Sequence, residues 1–112
     1  MNEPVIVTIT ETGFQTLSLL KGYMSAFFEE EELNALLTEL LINTEQRIKE
    51  VAIRPVCPEL ALIGIHDYWQ LNLMQNYKVI YRFDESTGTA FIIAFMRQKQ
   101  SAEKLLVDLA LM

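Results

Sequence analysis

Four cationic side chains, Lys78, Arg82, Arg97 and Lys99, fall in the one part of this chain that is not acidic. Residues 1–76 carry four Lys/Arg against eleven Asp/Glu, a net −7, whereas residues 77–112 carry five against four, a net +1. Cations that converge can hold a carboxylate or stabilise charge developing on a phosphodiester. Spread along a strand face, the same residues do no more than keep a sheet soluble. His66, beside Asp67, titrates near neutral pH and offers an acid or base. At a strand edge it can equally do nothing but meet solvent. Cys57 lies between Pro55 and Pro58 with no histidine close by, and reads as an inert thiol.

Other chemistries are excluded by what accompanies these residues. One histidine and one cysteine without paired spacing make no zinc site, and no metal or cofactor is expected. No phosphate-cradling glycine loop, nucleophile elbow or Ser-His-Asp set is present. The run Glu29–Glu32 lacks interleaved His or Gly and fits the first turn of a helix, where carboxylates complement the dipole. A net charge of −6 is a poor match to sequence-independent nucleic-acid binding. No apolar run approaches the roughly 18 residues that span a bilayer, so no membrane is expected. The first residues show no positive segment followed by an apolar one, and a single cysteine permits no internal disulfide. A reducing cytoplasm is the expected compartment. With 112 residues, 51% hydrophobic and 21% charged, the chain reads as one globular domain over 1–112.

The elements that must position the cations are legible from pattern. Tyr77, Val79, Tyr81 and Phe83 alternate with Lys78, Ile80, Arg82 and Asp84, the period of a strand covered on one face. Thr89–Arg97 is apolar at consecutive positions and therefore central in its sheet. Glu85-Ser-Thr-Gly88 between them makes the pair an antiparallel hairpin. Asp67–Met74 alternates too, with Trp69, Leu71 and Leu73 on one side, and Gln75-Asn76 reads as a two-residue link to the central strand. Sheet aromatics such as Tyr68, Trp69, Tyr77 and Tyr81 read first as packing.

Upstream, Val5–Ile9 is a β-branched strand. Phe14, Leu17, Leu20, Met24, Phe27 and Phe28 recur at helical spacing after a cap at Thr10 or Thr12. Gly22 costs about 1 kcal/mol relative to alanine in a helix interior, and is expected to mark a close approach by another element. Leu33, Leu36, Leu37, Leu40, Leu41, Ile48 and Val51 form a second stripe, which Asn43-Thr44 could interrupt. Prolines at 55 and 58 end the helical region. Ser101 caps a final helix, Ala102–Ala110, with Leu105, Leu106 and Leu109 as its stripe. The predicted fold is α+β: an N-terminal strand, a helical hairpin, a three-stranded antiparallel meander and a C-terminal helix, with helices on one face of the sheet.

The segment Leu71–Leu106, with Asn-Tyr-Lys-Val-Ile-Tyr-Arg-Phe at its centre and Ala-Phe-Met-Arg-Gln-Lys-Gln-Ser near its end, resembles the RelE/ParE superfamily. These are toxins of bacterial type II toxin–antitoxin systems, and the order of elements matches them over nearly the whole chain. RelE-like members cut messenger RNA on the ribosome with lysines on the strand before the tyrosine motif, arginines on the next two strands and often a terminal tyrosine. Here Gln70 and Asn72 stand where the lysines are expected, Lys78 at the first arginine, Arg97 at the second and Glu103 near the tyrosine. The departure counts against ribonuclease activity and favours ParE-like members, which lack that set and inhibit DNA gyrase.

The resemblance implies a cognate antitoxin as partner, with DNA gyrase or, alternatively, the ribosome and its mRNA as target, and leaves self-association as a homodimer open. Lys78, Arg82, Arg97, Lys99, Leu105 and Leu109 are the expected target- or antitoxin-binding residues. In the ribonuclease alternative Lys78, Arg97 and His66 would be catalytic. A non-toxic binding domain that keeps the fold is the third alternative.

Overall fold

The aromatic and β-branched runs pair as their alternation predicts. The computed structural model describes residues 4–110. In chain order they form β1 (Ile6–Ile9), α1 (Glu11–Met24), α2 (Glu30–Glu50), α3 (Pro58–Ala61), β2 (Trp69–Leu73), β3 (Tyr77–Asp84), β4 (Thr89–Arg97) and α4 (Ala102–Ala110). The sheet order is β1-β4-β3-β2, with β1 parallel to β4 and the meander antiparallel. The expected α+β order is therefore present, with the single turn of α3 added in the connector. The unbroken apolar sequence of β4 follows from packing on both of its faces, Ala90, Ile92 and Phe95 on one and Ala94 and Met96 on the other.

The register of β3 against β4 shifts between Ile80 and Tyr81, which pair with Ala94 and Ile92, leaving Ile93 as an extra residue. This bulge reverses the alternation of β4. Ala90 and Ile92 face the same core as Tyr81, and after the bulge Phe95 takes over that side. Ala94 and Met96 point the other way, with Ile80.

Helices cover both faces of the sheet, not one as expected. Leu20 and Met24 of α1 and Leu33, Leu37, Leu40 and Ile48 of α2 pack against Val79, Tyr81, Ile92 and Phe95. On the opposite face Leu60 of α3 and Ala102 and Leu105 of α4 pack against Ile80, Ala94 and Met96. The pattern in β3 concealed this second layer because two of its positions there are Lys78 and Arg82. The thiol of Cys57 is fully buried in that layer.

Thr10 caps α1: its hydroxyl accepts from the Gly13 amide at 3.0 Å and donates to the Ile92 carbonyl at 2.7 Å, tying the helix start to β4. Gly13 is required by the same approach, since a Cβ there would lie 2.5 Å from the Ile92 carbonyl oxygen. Gly22 behaves otherwise than expected, for nothing lies within 4 Å of the place its Cβ would occupy. The helix α2 continues through Asn43-Thr44, and the Thr44 hydroxyl, buried, turns back to the Leu40 carbonyl at 2.7 Å. Val51, assigned to its stripe, is exposed just beyond the helix end.

Between the helices and the meander, Arg54 donates to the carbonyls of Val51 and Arg47 at 3.0 and 2.8 Å, satisfying the end of α2. Val56 then bridges to Trp69, covering part of the outer edge of β2. The β2–β3 loop spans Met74–Asn76 rather than two residues, since Leu73 pairs with Tyr77. No helix among the described residues is long and apolar enough to cross a membrane.

Candidate functional site

Because the bulge turns the end of β4 over, Arg97 lies opposite Tyr77 on the α1 side of the sheet. Its guanidinium carbon sits 3.8 Å from the centre of the Tyr23 ring, within cation–π range. Tyr23 belongs to the last turn of α1, and the chain then folds back through amides of Phe27 and Phe28 that donate to the Met24 carbonyl at 2.9 and 3.1 Å. That fold-back stands the Phe27 ring 5.3 Å from Tyr23, and Phe27 is 67% exposed. The expected assignment of Phe27 and Phe28 to a buried stripe is thus corrected, as is that of Phe14, also exposed. Leu20 and Met24 of that stripe are buried as expected, and Thr16, outside it, is buried with them. The Thr16 hydroxyl accepts from the Phe95 amide at 2.9 Å, where β4 has run past the end of β1.

The opposite wall is the β2–β3 turn, in which Met74 and Gln75 adopt positive φ of 52° and 66°. Side chains other than glycine pay about 1–3 kcal/mol for such conformations, which persist only when the surroundings impose them. Here the Gln98 amide donates to the Asn76 carbonyl at 2.9 Å and the Gln98 side chain to the Tyr77 carbonyl at 3.3 Å. Between the walls runs a groove of about 500 Å³ bordered by Tyr23, Phe27, Phe28, Gln75, Arg97 and Lys99. Neither Arg97 nor Lys99 forms an ion pair among the described residues. Burial pushes the Tyr77 hydroxyl's pKa above its ordinary value.

Lys78 is one residue from Tyr77 and therefore on the other face. It is only 6% exposed, and its Nζ lies 3.9 Å from Glu59 Oε1. Glu59, in the first turn of α3, reaches across to the start of α4. It accepts from the amides of Ala102 and Glu103 at 2.9 and 3.1 Å and from the Ser101 hydroxyl. Burial alone would raise the Glu59 carboxyl. The hydrogen bonds from Ser101, Ala102 and Glu103, with Lys78 behind them, outweigh it and hold the group below its ordinary value. Leu105 is buried beneath the same helix and Leu109 is half-buried.

The remaining candidates lie at the far end of the hairpin. His66 is exposed in the loop before β2 and borders a shallow depression with Arg82. Arg82 extends over Phe91 at 5.8 Å from the ring centre. The structure thus brings Arg97 and Lys99 to one groove, buries Lys78 on the opposite face, and sets His66 with Arg82. No group of three or more His, Cys, Asp or Glu among the described residues could hold a metal ion.

No protein-family model and no curated protein matches the sequence. Solved structures do. The toxin–antitoxin complex RelBE2 from Mycobacterium tuberculosis contains a chain that superposes with a TM-score of 0.61 at 14% identity, over 89% of this chain and 98% of that one. A doubly substituted variant of the E. coli toxin RelE, in its free state, superposes at 0.57 and 12% identity, over 94% and 93%. The fold is RelE-like.

Within this RelE-like sheet, the positions where the resemblance expects lysines carry a neutral pair: Gln70 Nε2 donates to Asn72 Oδ1 at 2.9 Å. Both residues share the face of Lys78, because Asn72 pairs with Lys78 and Gln70 with Ile80. Three contributors went unnoticed in the sequence. Tyr23 lies one position off the apolar stripe of α1, a spacing that could have flagged it as exposed. Glu59 follows Pro58 at a helix start, a recognisable first-turn signal, but its reach to Ser101 spans 42 residues and leaves no local trace. Gln98 acts through backbone it could not be seen to face.

Proposed function

We propose that this chain is the toxin member of a bacterial type II toxin–antitoxin pair, acting by binding a cytoplasmic protein such as DNA gyrase and neutralised by a cognate antitoxin. The RelE-like fold, shared with a chain of a toxin–antitoxin complex, supports the toxin reading and the antitoxin partner. One observation supports binding over RNA cleavage: the residues at the positions expected for the ribonuclease set do not converge. Cleavage of a phosphodiester needs several cations aimed at one developing charge in a preorganised site. Here Gln70 and Asn72 are neutral and hydrogen-bonded, Gln70 donating to Asn72, Lys78 is occupied by Glu59, and Arg97 faces away from all three.

The test is tightly induced expression in a bacterial host, with DNA and protein synthesis followed by pulse labelling. Growth arrest in which DNA synthesis falls first, relieved by co-expressing a small neighbouring reading frame, is the expected result. Arrest in which protein synthesis falls first, with cut messenger RNA, would replace binding by ribonuclease activity. Soluble protein without arrest would leave a binding domain that keeps the fold without the toxicity.

A further inference from the structure

The groove between Tyr23, Phe27 and the Met74–Asn76 turn is built for a ligand of mixed character. Its cations, Arg97 and Lys99, have no carboxylate partner among the described residues, and its walls are aromatic. Guanidinium stacked on a phenol ring is held in place with its hydrogen-bonding edge free, ready to accept a carboxylate in a forked geometry. An exposed phenylalanine beside it is an anchor site for an apolar side chain, since aromatic residues and Arg are enriched at protein interfaces. A strained turn kept in place by Gln98 keeps the far wall at a set distance, which limits the ordering cost of binding.

We infer that this groove receives a polypeptide segment of the inhibited target protein in which a carboxylate stands next to a bulky apolar residue. The carboxylate pairs with Arg97 and Lys99, and the apolar neighbour packs on Tyr23 and Phe27. Charge decides between this ligand and a nucleic acid. The aromatic loop leads directly into Glu29–Glu32 in a chain of net charge −6, so a run of phosphates meets repulsion as soon as it extends past the two cations. A lone carboxylate flanked by apolar groups does not. The inference rests on the proposed action by protein binding and gives that action a location.

Random dodecapeptides displayed on phage are selected on the intact chain and counter-selected on the Arg97→Glu/Lys99→Glu double variant. The expected peptides carry Asp or Glu within two residues of an aromatic or aliphatic residue. Fluorescence anisotropy of one such synthetic peptide should show binding weakened roughly tenfold or more by either charge reversal, and also by Phe27→Ala with both cations retained. Circular dichroism and the denaturation midpoint confirm that the variants fold.

No enrichment, enrichment without carboxylates, or undiminished binding to the folded double variant overturns the groove as a site. So does tighter binding of single-stranded oligothymidylate than of the selected peptide. In cells the double variant should lose growth arrest. A double variant that still arrests growth but escapes the antitoxin would overturn assignment to the target and give the groove to the antitoxin. Peptide binding without any arrest by the unmodified chain would remove the toxin reading while leaving the groove as a peptide site.

Discussion

Lys78 and Arg97 are near neighbours across one hairpin and have opposite fates. Lys78 is buried on the α4 side, its charge answered by Glu59. Arg97 lies on the α1 side, laid on Tyr23 and left without an ion pair among the described residues. The first cation is committed to structure and the second is available to a partner. Residue type and strand position do not separate them. The face of the sheet does, together with what each face is covered by.

Reversing the two charges should break the symmetry most visibly. Lys78→Glu places a second carboxylate beside Glu59 in a buried setting and should lower unfolding free energy by roughly 3 kcal/mol or more. Arg97→Glu loses a cation–π contact at a half-exposed site and should cost no more than about 1 kcal/mol. Urea denaturation at unchanged m-value checks both, and equal losses would erase the distinction.

A smaller effect sharpens the structural side. Glu59→Gln weakens the cap of α4 and strands Lys78, and about 1–2 kcal/mol should go, with α4 amides losing hydrogen-exchange protection before those of β3 and β4. The same carboxyl predicts a pH response. Because the folded state holds Glu59 below its ordinary value of 4.5, the folded chain binds fewer protons there than the unfolded one. Its contribution is complete above about pH 4.5 and is lost as the pH falls through the lower folded value. Acid titration of the α4 protection should show this step in the natural chain and lack it in Glu59→Gln.

The smallest change tests the open side. Tyr23→Ala should alter stability by only about 0.5–1 kcal/mol, while the Arg97 side chain gains mobility visible in the relaxation of its Nε signal. An unchanged Arg97 signal would mean that the ring does not hold it.

The sequence was most informative where structure is set by near neighbours. The hairpin of β3 and β4, its polar turn with Gly88 at φ 68°, the Thr10 cap and the acidic start of α2 all depend on residues a few positions apart. What escaped it depends on distant partners. Gly13 and Gly22 look alike in the sequence, yet only Gly13 meets β4, and that contact is made 79 residues away at Ile92. Lys78 looked like a surface cation because Glu59 belongs to another element. The groove was half legible: Arg97 and Lys99 stood out by charge, but Phe27 fitted a helical stripe too well to be read as exposed. The bulge left no signal at all, since every residue around Ile93 is apolar and suits either side.

That bulge also decides which side of the sheet the end of β4 serves. Were Ile93 taken into the ladder instead of bulging out, every later residue of β4 would turn to the other side, as in any one-residue slip of a pleated strand. Arg97 would then join Lys78, and Met96 would take its place under α1. A divided set of cations and a gathered one are therefore one residue of register apart, provided the two cores absorb the exchange. Loss of Ile93 itself would only straighten the strand and leave Arg97 opposite Tyr77.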